Sequence, residues 1–233
     1  MNKLIELLPS IKAVGFDLDD TLWDNRQTII DAVNAQNEAL VKQGLEQERI
    51  AVVYKEHLDK TVSQEPELQS DVSALRLRVL ESIANEHGWE ASIADNIYQA
   101  FYEARQNVRV YDDAIELLNH LKKDFQLAVI SNGNVDVKQV GIDHYFDLVY
   151  RAGPDGIAKP HQDMFVKAHD AFNINDNEFL YVGDHIVNDA QAAMDAGSYA
   201  ILINEEDIDL GPRCLRYKTL SDFKEDVFRY LKS

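Results

Sequence analysis

Cysteine is almost absent from this chain, since Cys214 is the only one among 233 residues. A single thiol cannot form an intramolecular disulfide, which excludes a disulfide-stabilised fold. The first nine residues carry one basic residue, and Glu6 interrupts their short apolar run, which is unlike a secretory signal. These absences predict a protein of the reducing cytoplasm. Cys214 follows Pro212 and Arg213, and we expect it to lie in a loop and to have no catalytic role.

Long apolar runs are missing too, because no stretch approaches the roughly 18 apolar residues that span a bilayer. Basic residues are few: there are 23 Lys and Arg against 41 Asp and Glu, which gives a formal net charge of −18. A surface of that charge repels nucleic acid and anionic membranes, so we expect neither as a partner. It also repels small anions, so any phosphate site must be built locally from positive groups.

Among the residues that are present, the stretch 12–25 stands out. The apolar run 13–16 predicts a buried strand, and Asp17, Asp19 and Asp20 follow it directly. In an extended chain, Asp17 and Asp19 point the same way. Two carboxylates so close together repel each other unless a cation or a proton lies between them, and Mg²⁺ prefers oxygen ligands. On its own, this stretch is compatible with a magnesium site and with an acidic turn after a core strand.

A long helical segment comes next. From residue 26 to about 108, apolar residues recur at helical spacing, as Leu75 and Val79 do, and no strand is evident. This run of about four helices is too long for a single crossover between strands. We therefore predict an inserted helical cap domain over residues 23–107. The core would then consist of 1–22 and 108–233.

The rest of the chain alternates between short apolar runs and helical patterns. Strands are predicted at 127–130, 146–150, 179–182 and 200–203. Lys159-Pro160 is predicted to open a helix that runs to Phe172. This alternation predicts an α/β fold, a Rossmann-like, doubly wound and mostly parallel sheet with helices on both faces.

Polar residues follow three of the predicted strands, at 17–21, 131–134 and 183–189. Ligands of such sheets bind beyond the carboxyl ends of the strands, so we expect these residues to meet at one edge. The chemistry of the set is that of phosphoryl transfer. Carboxylates suit one Mg²⁺, polar donors at a helix start suit an anion, a lysine supplies positive charge, and one aspartate remains to attack phosphorus. The residues in question are Asp17, Asp19, Asp184, Asp189, Ser131, Asn132 and Lys159.

Four ordered motifs resemble those of the haloacid dehalogenase-like hydrolases. They are Phe16–Leu22, Ser131-Asn132-Gly133, Lys159-Pro160, and Gly183-Asp184 with Asn188-Asp189. The resemblance implies the Rossmann-like core of that family, with a helical cap of its first type in the long insertion. It also implies Mg²⁺ as cofactor and a small phosphorylated metabolite as the partner.

The same resemblance implies a role for each motif residue. Asp17 would be the nucleophile that forms an aspartyl-phosphate, and with Asp184 it would bind Mg²⁺. Asp19 would act as general acid and then general base, with its backbone carbonyl on the metal. Lys159 would hold the phosphate and Asp17 together. The remaining motif residues would bind the phosphoryl group (Leu18, Thr21, Ser131 and Asn132) or support the site (Asp189 and Asn188).

Asp19 distinguishes between branches of the family. Haloacid dehalogenases attack carbon, need no general acid and lack this second aspartate, so its presence favours a phosphomonoesterase. Three alternatives stay open: a phosphomutase, a 2-haloacid dehalogenase, and a non-catalytic protein that binds a phosphometabolite.

Less general segments resemble the YigB-type phosphatases, namely Asp19–Arg26, 132–134 and 151–160. That likeness implies flavin mononucleotide (FMN) or 5-amino-6-(5-phosphoribitylamino)uracil as the substrate. In the cap, Arg76 and Arg78 are candidates for substrate specificity; being two apart, they do not share a helix face, so at most one is expected to reach a substrate. Trp23 would contact the substrate as part of a lid, or anchor the linker to the cap. We expect a monomer or a weak dimer.

Overall fold

The computed structural model describes residues 3–206 and 208–231. Six strands form one sheet: β1 Ala13–Phe16, β2 Gln126–Ser131, β3 Leu148–Arg151, β4 Phe179–Gly183, β5 Tyr199–Ile203 and β6 Cys214–Tyr217. Every pairing is parallel, and the order across the sheet is β3-β2-β1-β4-β5-β6. From β1 in the centre, β2 and β3 are added in turn towards one edge of the sheet. The chain then returns to the centre, and β4, β5 and β6 are added in turn towards the other edge. The predicted α/β fold with a doubly wound parallel sheet is confirmed.

Ten α-helices lie in the described part of the chain. They are α1 Lys3–Leu7, α2 Arg26–Lys42, α3 Ile50–Gln64, α4 Val72–Glu86, α5 Ala91–Arg105, α6 Asp112–Leu121, α7 Val137–Val140, α8 Asp163–Phe172, α9 Ala192–Asp195 and α10 Leu220–Leu231. A π-helical turn, Ile186–Gln191, precedes α9 directly. No described helix is both long enough and apolar enough to cross a membrane.

The chain divides into two compact units. The first contains the sheet and is made of Met1–Asp24, Arg109–Gly133 and Gly141–Ser233. Its two central strands, β1 and β4, are buried along their whole length. Strands covered on both faces are apolar throughout, and this explains why both sequences lack the alternation of a half-exposed strand.

The second unit is helical and contains Asn25–Val108 together with Asn134–Val140. It has its own apolar core, to which α2 to α5 contribute Leu40, Val53, Leu80 and Ile97. Asp71 caps the start of helix α4, because its side chain accepts hydrogen bonds from the backbone N–H groups of Ser73 and Ala74. The sequence predicted a cap over residues 23–107. The main segment of the helical unit is Asn25–Val108, and a second segment, Asn134–Val140, belongs to the same unit.

Two local predictions are wrong. Cys214 does not lie in a loop, because it is the first residue of β6 and pairs with Ala200 of β5. Lys159-Pro160 does not open a helix, since α8 begins only at Asp163. A residue before proline is driven away from helical geometry. Moreover, the backbone N–H of Lys159 donates to Oδ1 of Asn132 instead of to a helical partner.

Candidate active site

Lys159 lies at the centre of the site and is almost entirely buried. Its ammonium nitrogen contacts three oxygens, namely Oδ1 of Asp17 at 2.7 Å, Oδ1 of Asp189 at 2.6 Å and the hydroxyl of Tyr181 at 2.6 Å. Burial alone would lower the pKa of Lys159, but the charges of Asp17 and Asp189 raise it above its ordinary value. The group is therefore a fixed positive charge beside Asp17.

Two features hold this arrangement in place. The side chain of Asn132 forms two hydrogen bonds of 2.8 Å with the backbone of Lys159, one to its carbonyl and one from its N–H. Gly183, the last residue of β4, lets Asp189 lie against the backbone, since a Cβ there would be 2.4 Å from Cγ of Asp189. The second oxygen of Asp189 accepts from the N–H of His185 at 2.9 Å. Both oxygens of Asp189 are thus committed to protein partners.

Three carboxylates converge at this edge of the sheet. Asp17, Asp184 and Asp189 each present one oxygen, and these oxygens lie within 4.8 Å of one another. Burial raises the pKa of Asp17 to about 8, against the opposing effect of Lys159, and Asp189 raises it further. Burial, Asp189 and Asp20 together raise the pKa of Asp184 to about 6. One ammonium group leaves the negative charge of the cluster only partly compensated.

This donor set fits a hard divalent cation. Mg²⁺ takes oxygen ligands, and a cluster with excess negative charge is where such an ion is most stabilised. Asp17 and Asp184 are the better ligands because Asp189 is already held by Lys159 and His185. The backbone carbonyl of Asp184 accepts from Nδ2 of Asn204 at 3.0 Å, which orients the loop that carries it.

The side chain of Asp19 does not belong to this carboxylate cluster. Its Oδ1 accepts a hydrogen bond of 2.8 Å from the indole N–H of Trp23. Trp23 is completely buried and belongs to the unit that contains the sheet. Besides the roles expected for it, as a lid contact or as the anchor of the cap linker, Trp23 thus contacts the predicted general acid. Asp17 and Asp19, two residues apart, have different surroundings.

Several hydrogen-bond donors of the predicted phosphate site have no acceptor in the described part of the protein. Within residues 3–206 and 208–231, no acceptor meets the backbone N–H of Leu18 or of Asn132. The hydroxyl of Thr21 is also buried without a partner among the described residues. Buried donors are normally paired, so three open donors beside one carboxylate indicate space for an anionic ligand. The Ser131 hydroxyl accepts from the N–H of Gly133 at 3.0 Å and keeps its own proton to donate.

Asn188 and Asp20 are two further residues of these motifs. Asn188 lies in the π-helical turn, half-buried, and its backbone N–H donates to Nδ1 of His185 at 3.0 Å. Asp20 is exposed and has a φ of 59°, a left-handed conformation that few residues other than glycine adopt. Its charge contributes to the raised pKa of Asp184, so it faces the carboxylate cluster from outside.

Tyr181 and Asn204 are site residues that sequence reasoning missed. The hydroxyl of Tyr181 lies between Lys159 and the carbonyl of Ile130, to which it donates. A phenolic group inside the otherwise apolar strand Phe179–Gly183 was the available signal, because a buried hydroxyl requires a partner. Asn204 directly follows β5, and the position after a strand was its signal.

In the helical unit, the structure separates the two candidate arginines. Arg78 is exposed and pairs with Glu65 at 2.7 Å and Glu81 at 3.1 Å. Arg76 is half-buried, donates to Oε1 of Gln36 at 2.7 Å and has no carboxylate partner among the described residues. Its guanidinium carbon lies 3.7 Å from the centre of the Phe101 ring.

A family model described as haloacid dehalogenase-like hydrolase matches residues 11–197. The chain belongs to the haloacid dehalogenase-like hydrolases. It is 33% identical over 211 residues to the 5-amino-6-(5-phospho-D-ribitylamino)uracil phosphatase YigB of Escherichia coli K12, with 87% of each chain covered. It is 26% identical to the glyceraldehyde 3-phosphate phosphatase of Methanopyrus kandleri, over 83% of this chain and 84% of that one. The predicted membership of this family, and with it the prediction of a hydrolytic enzyme, are confirmed.

Solved structures show the same fold. A 2-haloacid dehalogenase from Pseudomonas syringae pv. Tomato DC3000 superposes with a TM-score of 0.86 at 31% identity, covering 94% of this chain and 99% of that one. The hydrolase YfnB of Bacillus subtilis has a TM-score of 0.65 at 20% identity, covering 96% of this chain and 99% of that one, and supports the fold alone. Relatives of similar identity are thus described as phosphatases and as a dehalogenase.

Proposed function

We propose that this protein is a Mg²⁺-dependent phosphomonoesterase that works through an aspartyl-phosphate on Asp17. The observation that carries the proposal is that Asp17 and Asp19 have different surroundings. Asp17 contacts Lys159 and belongs to the carboxylate cluster, whereas Asp19 lies outside that cluster and accepts a hydrogen bond from Trp23. A hydrolase that attacks phosphorus needs one carboxylate as nucleophile and another for proton transfer.

Each step of the proposed reaction has a candidate residue. Oδ1 of Asp17 is held by Lys159, and Oδ2 has no hydrogen-bond partner among the described residues, so Oδ2 can attack phosphorus. The backbone N–H groups of Leu18 and Asn132, with the hydroxyls of Thr21 and Ser131, would bind the phosphoryl oxygens. Lys159 would stabilise their charge.

The reaction has two steps. Oδ2 of Asp17 bonds to phosphorus as the bond to the leaving oxygen breaks, and Asp19 gives that oxygen a proton. Asp19, now a carboxylate, takes a proton from a water molecule that attacks phosphorus, and the bond to Asp17 breaks. Asp17 and Asp184 would hold Mg²⁺, which when bound offsets negative charge between the carboxylates and the phosphoryl group.

Dehalogenation is the principal alternative, because a similar structure is described as a 2-haloacid dehalogenase. Attack on carbon releases halide, which needs no proton. Asp19 would then have no role as general acid. Incubation with p-nitrophenyl phosphate and, separately, with a 2-haloacid discriminates between the two. We expect phosphate release that EDTA abolishes; halide release without phosphate release would contradict the proposal. Transfer of phosphate to a sugar hydroxyl instead of to water would indicate a phosphomutase, and binding without turnover a non-catalytic protein.

For the substrate, we propose a phosphometabolite with a polar leaving group that Arg76 recognises. FMN and 5-amino-6-(5-phosphoribitylamino)uracil are the first candidates, since the relative YigB is named for the latter. Among the described residues, Arg76 has one hydrogen-bond acceptor, Gln36, and its guanidinium stacks on Phe101, so the edge of the guanidinium keeps donors to offer. Burial lowers its pKa, and Tyr54 and Tyr98 partly oppose that effect. A planar group with several acceptor oxygens matches such an edge.

Arg78 provides a matched control, since both arginines lie in α4 and, within the described residues, Arg78 has acidic partners and Arg76 has none. Phosphate release should be measured over a metabolite panel that includes both candidates. We expect Arg76→Met to raise KM for the preferred metabolite about tenfold or more, with a smaller effect on p-nitrophenyl phosphate, and Arg78→Met to change neither. Equal effects of the two substitutions would exclude a specificity role for Arg76.

A further inference from the structure

Each oxygen of the Asp19 carboxylate lies beside a residue that has no role in the proposed reaction steps. These residues are Trp23 and Gly133. On one side, Nε1 of Trp23 lies 2.8 Å from Oδ1. The Trp23 ring is fully buried, and its backbone forms isolated bridges with Asp19 and Val110. The indole therefore has little freedom to move away, and its N–H has a fixed direction.

On the other side, Oδ2 of Asp19 lies against the backbone at Gly133. A Cβ built at Gly133 would be 2.6 Å from Oδ2, well inside van der Waals contact. Gly133 is not among the residues with positive φ, so its backbone would accept alanine. The glycine is needed for the space that Oδ2 occupies, and not for its backbone conformation.

We propose that Trp23 and Gly133 are positioning residues that orient the carboxylate of Asp19 for proton transfer. This inference rests on the proposed phosphatase reaction. An indole N–H can only donate, so the hydrogen bond from Trp23 to Oδ1 fixes the direction of the carboxylate, and Gly133 leaves room for Oδ2. Neutral Asp19 gives its proton to the leaving oxygen as the phosphorus–oxygen bond breaks. The carboxylate then accepts the proton of the attacking water as the bond between phosphorus and Asp17 breaks.

A purely structural role for Trp23 makes a different prediction. A phenylalanine at this position keeps most of the buried aromatic surface and loses only the N–H donor. If Trp23 served the core alone, Trp23→Phe would slow all substrates alike or none. If it orients Asp19, the loss depends on how much the leaving group needs a proton. An alkoxide leaving group needs one, whereas p-nitrophenolate hardly does.

The test compares kcat and KM for an alkyl phosphate and for p-nitrophenyl phosphate. We expect Trp23→Phe to lower kcat for the alkyl phosphate about 10- to 100-fold and for p-nitrophenyl phosphate less than about threefold, with KM nearly unchanged. Gly133→Ala should show the same selectivity because it displaces Oδ2. The second tryptophan, Trp89, lies in the helical unit. Trp89→Phe is the matched control and should alter neither rate.

A double-mutant cycle tests whether Trp23 acts through Asp19. In an Asp19→Asn background, Trp23→Phe should add no further loss on the alkyl phosphate, because the group that it orients no longer transfers a proton. An additive loss, or an equal loss on both substrates, overturns the inference. The proposed function fails separately, if the unmodified protein releases no phosphate or Asp17→Asn retains activity.

A spectroscopic measurement covers the case in which Trp23→Phe does not fold. With two tryptophans in the chain, a ¹⁵N-labelled sample gives two indole N–H resonances, and Trp89→Phe identifies them. Asp19→Ala should shift the Trp23 resonance and speed its exchange with solvent, and should leave the Trp89 resonance in place. An unmoved Trp23 resonance contradicts the hydrogen bond on which the inference depends.

Discussion

The ammonium nitrogen of Lys159 lies 2.6 Å from Oδ1 of Asp189, and both side chains are at least 97% buried, with exposures of 2% and 3%. The pair joins the loop after β3 to the π-helical turn after β4. It thereby fixes the lysine beside Asp17. Breaking a buried ion pair leaves an uncompensated charge, and this makes the pair a sensitive point of the site.

We expect Asp189→Asn to destabilise the protein and to impair catalysis. The substitution keeps the shape of the side chain but removes one of the two carboxylates that compensate Lys159, at a cost on the order of 3 kcal/mol. Urea unfolding gives the free energy, and phosphate release gives kcat. Asp170→Asn, at an exposed position, is the control and should change neither. Unchanged stability and activity in Asp189→Asn would show that Asp17 and Tyr181 are sufficient to hold the lysine.

Asp17→Asn should abolish turnover without unfolding the protein. An amide cannot form the aspartyl-phosphate, so we expect kcat to fall at least about a thousandfold. Asparagine keeps the shape of the side chain, and Asp189 and Tyr181 remain in contact with Lys159. The variant should therefore still unfold cooperatively in urea at pH 7. Near-normal activity would refute the assignment of the nucleophile.

Mg²⁺ should stabilise the protein more at pH 8 than at pH 5.5. Because the folded-state pKa values of Asp17 and Asp184 are raised to about 8 and about 6, their contribution to stability is complete below the unfolded pKa of about 3.9. It is lost as the pH rises through the folded values, and a cation that binds the ionised carboxylates offsets this loss. Thermal unfolding with EDTA or MgCl₂ at both pH values measures the difference. The increment should disappear in Asp184→Asn, and a pH-independent increment would argue against metal binding at these carboxylates.

His169 should make the fold sensitive to mild acid. Burial lowers its pKa below the ordinary value, and its Nε2 lies 2.8 Å from the Ser198 hydroxyl. A group with a lowered folded-state pKa favours folding fully above its unfolded pKa, about 6.5 for histidine, and loses that contribution as the pH falls through the folded value. Unfolding free energies between pH 7.5 and 5 should decline less steeply in His169→Gln than in the parent protein. His161→Gln, at an exposed position, should keep the parent slope.

Much of the fold could be predicted from local patterns. The apolar runs predicted as β1, β2, β4 and β5 are buried as expected, except that Ile203 at the end of β5 is half-buried. These features depend on periodicity within a few residues, which a sequence displays directly. By contrast, β6 was missed because an edge strand is stabilised mainly by pairing with its neighbour, here β5, and its own residues are only half-buried.

By itself, the sequence determined the family, the parallel sheet and the identity of the motif residues, because strand ends and motif spacing are local properties of the chain. Only the tertiary structure decided which partner each of these residues has. Trp23 donates a hydrogen bond to Asp19, and the hydroxyl of Tyr181 contacts Lys159. Arg78 pairs with Glu65, whereas Arg76 has no acidic partner in the part of the chain that the structure describes. Such pairings join elements that are far apart in the chain or follow from the direction of a buried side chain. Both are decided by packing, for which no local pattern exists.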